Sequence, residues 1–234
     1  MPIFILDTET TGREEPVTLI EAAWRKVEDI QTLRATEAFC QRYNPGKPIE
    51  TGAMAVHHIL DEELKDCPAS DTFKLPDGVE YLVGHNIDYD WAVIGKPSLP
   101  GATPVKRICT LAIARKLWPD ADSHSLSALM YRLATDRVRV REALKSAHSA
   151  ESDARFCAIL LKKEISVLRS TVPGSVDSWE SLWAYSEIAR IPDVMPFGKH
   201  RGVPIKELPK DYVRWALGNL ADMDEYLRKA LESA

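Results

Sequence analysis

The stretch from Ile3 to Gly12 (IFILDTETTG) constrains the fold more than any other part of the chain. A short apolar run is typical of a buried strand, and this one ends in two acids, Asp7 and Glu9. Residues i and i+2 of a strand point to the same face, so the two carboxylates are expected side by side. Like charges repel, and a buried carboxylate is costly unless it is paired or bound to a cation. The pattern favours a divalent-metal site at the end of a central strand, and a strand ending in a solvated acidic turn is the alternative.

Two further strands are predicted before the first clear break in the chain. They cover residues 17–27 and 36–43, and Glu21 is a charged interruption in the apolar stretch of the first of them. Consecutive strands joined by short turns favour an antiparallel meander in a mixed sheet. The segment NPGKP at residues 44–48 then ends the pattern.

A fourth apolar strand, over residues 81–84, leads into a predicted helix that carries Asp90. Asp90 shares a helix face with Ile94, and an acid on an apolar face needs a partner. Asp88 is a candidate for the cap of this helix. Residues 108–118 are predicted to form the next helix, because they end directly before a proline.

Another helix is predicted to begin after Ser149, which is a favourable N-cap residue. Asp153 shares its helix face with Phe156 and Leu160, so its carboxylate lies on the buried stripe. His148 precedes the helix and is expected to reach the same place from its loop. A lone histidine is more often structural, but this one accompanies three other candidate acids.

Composition sets only broad limits. The 234 residues fit one large domain or a domain with a small module, and 45% apolar and 28% charged residues are ordinary for a soluble globular protein. A net charge of −5 neither indicates nor excludes a nucleic-acid ligand, because clustered acids mask basic patches in the sum. No apolar run approaches the roughly 18 residues of a membrane span, so no membrane association is expected.

The N-terminus and the cysteines predict a cytoplasmic location. The first strand begins directly after Pro2, so no signal peptide is expected. The four cysteines form no Cys-x-x-Cys pair, which gives no support to a zinc finger or a redox motif. They are expected to be reduced thiols.

Three motifs, in this order and spacing, resemble those of the DEDDh superfamily of 3′→5′ exonucleases, which includes relatives of the proofreading subunit of bacterial DNA polymerase III. The motifs are Asp7-x-Glu9, His85-Asn86-x-x-Tyr89-Asp90 and His148-x-Ala150-x-x-Asp153. Each is weak alone, but together they are specific, and the resemblance covers roughly residues 2–167.

Within this superfamily the closer resemblance is to the bacterial exonuclease X group. Residues 54–57, 115–119 and 197–202 carry it. Tyr89 stands where phenylalanine is commoner in the second motif, and the aromatic face is kept. His58 stands where glycine is common.

The resemblance implies an α/β fold, with a ribonuclease H-like mixed sheet flanked by helices and a small C-terminal α+β module. We expect a DEDDh exonuclease domain over residues 1–170 and a linker over 171–178, where VPGS occurs. The module over 179–234 is expected to contain a tight hairpin with the sequence Phe-Gly-Lys-x-Arg-Gly.

The resemblance also assigns roles to residues. Two Mg²⁺ or Mn²⁺ ions per active site would be bound by Asp7, Glu9, Asp90 and Asp153, and such ions flank an in-line displacement at phosphorus. His148 would be the general base, because histidine exchanges a proton near neutral pH. The family binds the terminal nucleotide at the positions of Thr10, Val56, His57, Asn86 and Tyr89. Simple core packing is the alternative for Val56 and Tyr89.

The implied function is a 3′→5′ exonuclease that hydrolyses terminal phosphodiester bonds of single-stranded or duplex DNA, releases nucleoside monophosphates and serves DNA repair or proofreading. DNA 3′ ends are the expected partner. The alternatives are an exoribonuclease of the same family and a nucleic-acid-binding protein with an idle nuclease site. The catalytic residues do not separate DNA from RNA, because both present the same phosphodiester. The sequence leaves the oligomeric state open.

The C-terminal hairpin offers a second candidate contact with nucleic acid. Lys199 and Arg201 at its tip could hold the phosphate backbone, with Trp215 packed beneath them. A structural hairpin whose basic residues are merely exposed is the alternative.

Overall fold

A five-stranded mixed sheet forms the centre of the fold. The computed structural model describes residues 2–95, 104–172, 174, 176–220 and 223–234. The strands are β1 (Ile3–Thr10), β2 (Leu19–Val27), β3 (Ala35–Arg42), β4 (Tyr81–Gly84) and β5 (Lys106–Cys109). Their order is β3-β2-β1-β4-β5, with β1, β2 and β3 antiparallel and with β4 and β5 parallel to β1. The predicted meander and mixed sheet are confirmed.

Helices flank the sheet. They are α1 (Thr51–His57), α2 (Asp61–Leu64), α3 (Ile87–Val93), α4 (Thr110–Leu117), α5 (Leu126–Leu133), α6 (Arg137–Ala143), α7 (Ala150–Thr171), α8 (Trp179–Arg190), α9 (Lys210–Asn219) and α10 (Glu225–Glu232). The longest, α7, packs on β1 and β2, whereas α3 and α8 pack on β5. Over the described ranges, no helix combines the length and the apolar character that a membrane crossing requires.

The main core is built around β1. Its residues 3–6 are at most 2% exposed, as expected for a central strand covered on both faces. Gly84, at the end of β4, allows the backbone to pass closely, because a Cβ atom there would lie 3.1 Å from the Leu6 carbonyl oxygen and 2.8 Å from the Ile87 side chain. The start of α3 is thereby held against the end of β1.

The predicted start of the helix over residues 108–118 is wrong. Ile108 and Cys109 lie in β5, paired with β4, and α4 begins at Thr110. Both residues are almost fully buried. A strand of four residues is too short to show a periodicity of its own, so its apolar residues merged with the helical pattern that follows.

A second, smaller core lies in the C-terminal segment. Its buried members are Met195, Ile205, Leu208, Ala216, Leu227, Ala230 and Leu231. The sequence-based division also assigns α8 to this module, but α8 packs on α4 and β5, and its Trp179 and Leu182 belong to the main core. The change from one core to the other therefore falls after Arg190, not at residue 178. Residues 173 and 175 of the predicted linker lie outside the described residues.

The predicted C-terminal hairpin is a closed loop. Val194 and Pro204 form an isolated bridge, and a single 3₁₀ turn spans Gly198–His200. Gly198 and Gly202 have φ angles of 72° and 82°, a left-handed conformation that glycine adopts without strain. The two glycines therefore define the loop that presents the basic residues.

Arg190 joins the two cores. Its side chain is only 4% exposed and is paired with Glu187 at 2.6 Å. It donates hydrogen bonds to the Tyr226 hydroxyl at 2.7 Å and to the Arg107 carbonyl oxygen at 3.1 Å. Because these partners lie on α8, α10 and β5, the C-terminal segment is docked against the edge of the sheet.

Glu164, on α7, carries a carboxyl group whose burial costs free energy. It is fully buried, and neither of its carboxylate oxygens has a hydrogen-bond partner among the residues that the structure describes. Burial raises the pKa of Glu164 well above its ordinary value, because the charged form loses its hydration. A group whose pKa is raised by folding loses its stabilising contribution as the pH rises above the pKa of the unfolded chain.

Glu164→Leu is therefore expected to raise the free energy of unfolding by about 1–3 kcal/mol, because an unpaired polar group is replaced by an apolar one. The gain should be larger at pH 8 than at pH 5. Glu164→Gln is the matched control, since it keeps an unpaired polar group without a titratable proton. Urea unfolding of the three chains at both pH values measures the effect, and a less stable Glu164→Leu chain would contradict it.

Candidate active site

The end of β1 and the first turns of α7 bring three carboxylates together. Asp7 and Glu9 project from β1, and Asp153 projects from α7. One oxygen atom from each lies within 4.8 Å of the other two. Carboxylate oxygens at this separation fit a divalent cation, which would offset their mutual repulsion.

The fourth predicted acid, Asp90, is fixed beside them. It lies in α3, is 4% exposed, and accepts a 2.7 Å hydrogen bond from the Thr8 hydroxyl. Thr8 lies between the two acids of β1, so this bond ties Asp90 to the same strand end. Asp88 does not cap α3: the N-cap residue is Asn86, and Asp88 pairs with Arg107 at 2.8 Å.

His148 lies at the entrance to α7. Ser149 is the N-cap of this helix, as predicted, and accepts a hydrogen bond from the Ser152 N–H group. His148 is exposed and has a φ of 64°, which is uncommon for a residue other than glycine. Its backbone N–H donates to Oδ2 of Asp153 at 3.3 Å. The loop therefore holds the histidine directly beside the acidic cluster.

Burial and mutual repulsion raise the pKa values of the acids. Burial, and then the charges of Asp90 and Asp153, raise the pKa of Asp7 well above its ordinary value. Burial, and then the charge of Asp153, raise the pKa of Glu9 to about 8, and burial raises the pKa of Asp90 to about 7. Burial also raises the pKa of Asp153, although His148 acts in the opposite direction. The acids therefore repel one another at this site, and burial makes their charged forms costly.

These shifts predict how metal ions affect stability. A carboxyl whose pKa is raised on folding destabilises the fold as the pH increases, here between 4.5 and about 8 for Glu9. A tenfold change in proton affinity corresponds to about 1.4 kcal/mol, so the destabilisation is on the order of a few kcal/mol. Mg²⁺ or Mn²⁺ should therefore raise the melting temperature strongly at pH 8 and little at pH 5. Melting curves with metal and with EDTA measure this, and an increase of the same size at both pH values would contradict it.

Glu21 is a residue of the site that the motifs did not assign. It lies on β2 opposite Glu9 and is 4% exposed. Its Oε2 accepts the N–H of Ala150 at 2.9 Å, and its Oε1 accepts from Nε of Arg42 at 3.1 Å. Glu21 thereby fastens the first turn of α7 to the sheet. Its only signal in the sequence is a charge within an apolar strand.

The residues predicted to bind the terminal nucleotide lie in varied environments. The Thr10 hydroxyl and the Tyr89 hydroxyl are hydrogen-bonded at 2.8 Å. Tyr89 and Val56 are 38% and 46% exposed, so neither is a core residue. Asn86 is exposed at the start of α3, with a left-handed φ of 80°.

His57 and Thr10 are the buried members of this set. His57 is 8% exposed, and burial lowers the pKa of its imidazole. Nδ1 accepts the Ile59 N–H at 3.0 Å, so Nε2 carries the hydrogen, and this atom is buried without a partner in the described part of the chain. The backbone of Thr10 acts against the effect of burial on the imidazole pKa, so this face of His57 lies toward the end of β1.

His85, in the second motif, has a structural role. Its Nδ1 lies 2.9 Å from the Thr110 hydroxyl, and its Nε2 lies 2.8 Å from the His124 carbonyl oxygen. Burial lowers the pKa of His85 to about 4, which keeps the ring neutral. It connects the end of β4 to the start of α4.

The C-terminal candidates lie apart from the acidic cluster in the chain. Lys199 and Arg201 are exposed on the loop closed by the Val194–Pro204 bridge. Trp215 does not pack beneath them as a core residue, since it is 51% exposed and stacks on Tyr212. The exposure of Trp215 is therefore at odds with the prediction that it packs beneath Lys199 and Arg201.

An acidic cluster beside the end of the central strand of a ribonuclease H-like sheet is typical of a nuclease of the divalent-metal class. The Exonuclease family matches residues 4–161, and the chain belongs to this family. The predicted exonuclease and the predicted hydrolytic enzyme are thus confirmed. A second family, described by reference to a quorum-sensing-regulated virulence factor, matches residues 186–219.

Relatives of known name support the same class. Exodeoxyribonuclease 10 of Escherichia coli K12 is 28% identical over 238 residues, which cover 97% of this chain and 96% of that protein. The DNA polymerase III epsilon subunit of Buchnera aphidicola is 31% identical over 166 residues, or 64% of this chain and 67% of that subunit.

A solved structure gives the same result in three dimensions. Exonuclease X in complex with 5′ overhanging duplex DNA aligns with a TM-score of 0.58 and 26% identity, over 80% of this chain and 99% of that one. The predicted resemblance to the exonuclease X group is confirmed.

Proposed function

We propose that this chain is a metal-dependent 3′→5′ exonuclease that removes nucleoside monophosphates from the 3′ ends of DNA. The observation that carries the proposal is the convergence of Asp7, Glu9 and Asp153 within 4.8 Å, beside His148. The relatives named as an exodeoxyribonuclease and as a polymerase III subunit, and the DNA in the Exonuclease X complex, support DNA as the polymer.

The proposed ligands of two Mg²⁺ or Mn²⁺ ions are Asp7, Glu9, Asp90 and Asp153. When bound, the ions would supply positive charge that stabilises the negative charge developing around phosphorus. The four acids balance that charge, and Thr8 keeps Asp90 oriented through its hydrogen bond. Glu21 keeps α7, and with it Asp153, at a fixed position relative to β1.

His148 is proposed as the general base. It would take a proton from the water molecule whose oxygen attacks phosphorus, while the bond from phosphorus to the 3′ oxygen of the preceding nucleotide breaks. Its exposed position lets the imidazole exchange that proton with solvent after each turnover. The left-handed backbone at His148 is held by the hydrogen bond from its N–H group to Asp153.

The terminal nucleotide is proposed to lie against Thr10, Val56, His57, Asn86 and Tyr89. The exposed rings and methyl groups of Tyr89 and Val56 offer contacts that any base tolerates. The unpaired Nε2–H group of His57 could donate to an oxygen of the substrate. Such contacts fit an enzyme that does not read sequence. Lys199 and Arg201 are proposed to contact the backbone elsewhere.

The proposed setting is the cytoplasm, in DNA repair or proofreading. The four cysteines are free thiols in the structure, as a reducing compartment requires.

Degradation of 5′-labelled single-stranded DNA, duplex DNA and RNA of one sequence tests the proposal. With Mg²⁺ or Mn²⁺ we expect a ladder that shortens from the 3′ end of the DNA substrates, and no ladder with EDTA. Faster loss of the RNA would make the chain an exoribonuclease. Intact label in every lane, together with a gel shift, would reduce it to a binding protein with an idle site.

A further inference from the structure

Three aromatic rings form a ladder on the surface of the C-terminal segment. The rings of His200 and Tyr212 are 4.3 Å apart between centroids, and those of Tyr212 and Trp215 are 5.7 Å apart and nearly parallel, at 30°. His200 belongs to the glycine-flanked loop, and the other two lie one turn apart on α9. The ladder thus connects the loop to the helix.

The outer ring of this ladder is not needed to complete the core. Trp215 is 51% exposed, and Phe197, just before the loop, is 47% exposed. The neighbouring residue on α9, Ala216, is fully buried and faces the small core. Trp215 therefore points away from that core, and large exposed aromatic residues in a small area are typical of a binding surface.

The ladder lies in a locally basic part of an acidic chain. Residues 197–215 contain the cations Lys199, Arg201, Lys206, Lys210 and Arg214 and the acids Glu207 and Asp211. All five cations are exposed, and none takes part in an ion pair among the described residues. This charge of +3 contrasts with −5 for the whole chain.

We propose that the ladder binds single-stranded nucleic acid, with an unpaired base stacked on Trp215 and with Lys199 and Arg201 against the phosphates. Exposed rings combined with unpaired cations are the two features that single strands require of a protein surface. The proposal rests on the proposed function, since it supplies the strand whose 3′ end the acidic cluster hydrolyses. It assigns to the C-terminal segment the role of holding the unpaired part of a DNA substrate.

Single strands and duplexes differ in whether a base has a face free to stack on Trp215. A base in a duplex already has neighbours on both faces, whereas an unpaired base has a face free for stacking. Loss of the Trp215 ring should therefore weaken the binding of single strands more than that of blunt duplexes. An acidic protein partner, the other chemistry that a basic aromatic surface could accept, would not produce this difference.

Fluorescence anisotropy with a labelled oligothymidylate and a labelled blunt duplex tests the site in the full-length chain. An Asp7→Asn background prevents degradation of the probes. Trp215→Ala is expected to weaken single-strand binding about 5- to 100-fold, with the salt dependence unchanged. Trp215→Phe keeps a ring and should retain most of the affinity. The Lys199→Ala/Arg201→Ala chain should lose affinity and show a log–log salt slope shallower by about 1.4.

Ile188→Ala is the matched control, because Ile188 is 64% exposed on α8, outside the ladder. Melting curves establish that each variant is folded. Unchanged binding by Trp215→Ala, or equal losses for single strands and duplexes, overturns the proposal even if the unmodified chain degrades DNA. Conversely, ring-dependent binding by a chain that degrades nothing would retain this site and reject the proposed function.

Discussion

Asp7→Asn is expected to reduce DNA degradation by at least about 10³-fold, since it removes several kcal/mol of metal-dependent stabilisation from the reaction. Four neighbouring acids, Asp90, Asp153, Glu9 and Glu21, raise the pKa of Asp7 in addition to burial, so Asp7 lies among the other acids. Asparagine has the same shape but no charge, so the fold should persist. The rate at which a 5′-labelled DNA strand is shortened, measured with saturating Mg²⁺, gives the loss of activity.

Asp77→Asn provides the comparison for this variant. Asp77 is an exposed aspartate in the turn before β4, and its replacement should leave the rate unchanged. Asp7→Asn should also melt at a higher temperature than the unmodified chain in EDTA at pH 8, because one repelling charge is absent. A variant that is inactive and also less stable would indicate damage to the fold in place of a lost metal ligand.

His148→Ala is expected to reduce kcat by about 10²–10⁴-fold, the usual contribution of a positioned general base. Binding of DNA should change little, because the acidic cluster and the nucleotide contacts remain. Without this general base, the rate of the variant should keep rising with hydroxide concentration. Single-turnover rates across the pH range measure both effects.

Two controls separate chemistry from structure at His148. His58→Asn changes another exposed histidine with a left-handed φ of 59°, a conformation that asparagine accepts, and should have little effect on the rate. Added imidazole should partly restore the rate of His148→Ala, because it can replace the missing base but not a missing fold contact. Undiminished activity of His148→Ala at every pH would remove the general-base assignment.

Much of the candidate site follows from short-range pattern. The apolar run before Asp7 and Glu9 predicts a buried strand with paired acids, and the helical spacing around Asp153 predicts an acid on an inward face. These predictions hold because they depend only on the geometry of one strand or one helix. Ser149 caps α7 for the same local reason.

The features that the sequence did not reveal depend on contacts between distant segments. Glu21 acquires its role only when β2 pairs with β1 in a particular register and α7 then packs across both. The β5 strand is too short to be distinguished from the helix that follows it. The position of α8 depends on which of two cores can cover Trp179 and Leu182, a choice that no local pattern decides.

The packing of α8 limits how chains of this kind can be recombined. A gene that ended at residue 178, beyond every assigned catalytic residue, would leave the apolar surfaces of α4 and β5 facing water. A transplantable tail would therefore have to begin after Arg190, and the chain that lost it would have to replace the Tyr226 hydroxyl, one of the partners of this buried guanidinium. The nuclease and its C-terminal segment are inherited most easily as one unit.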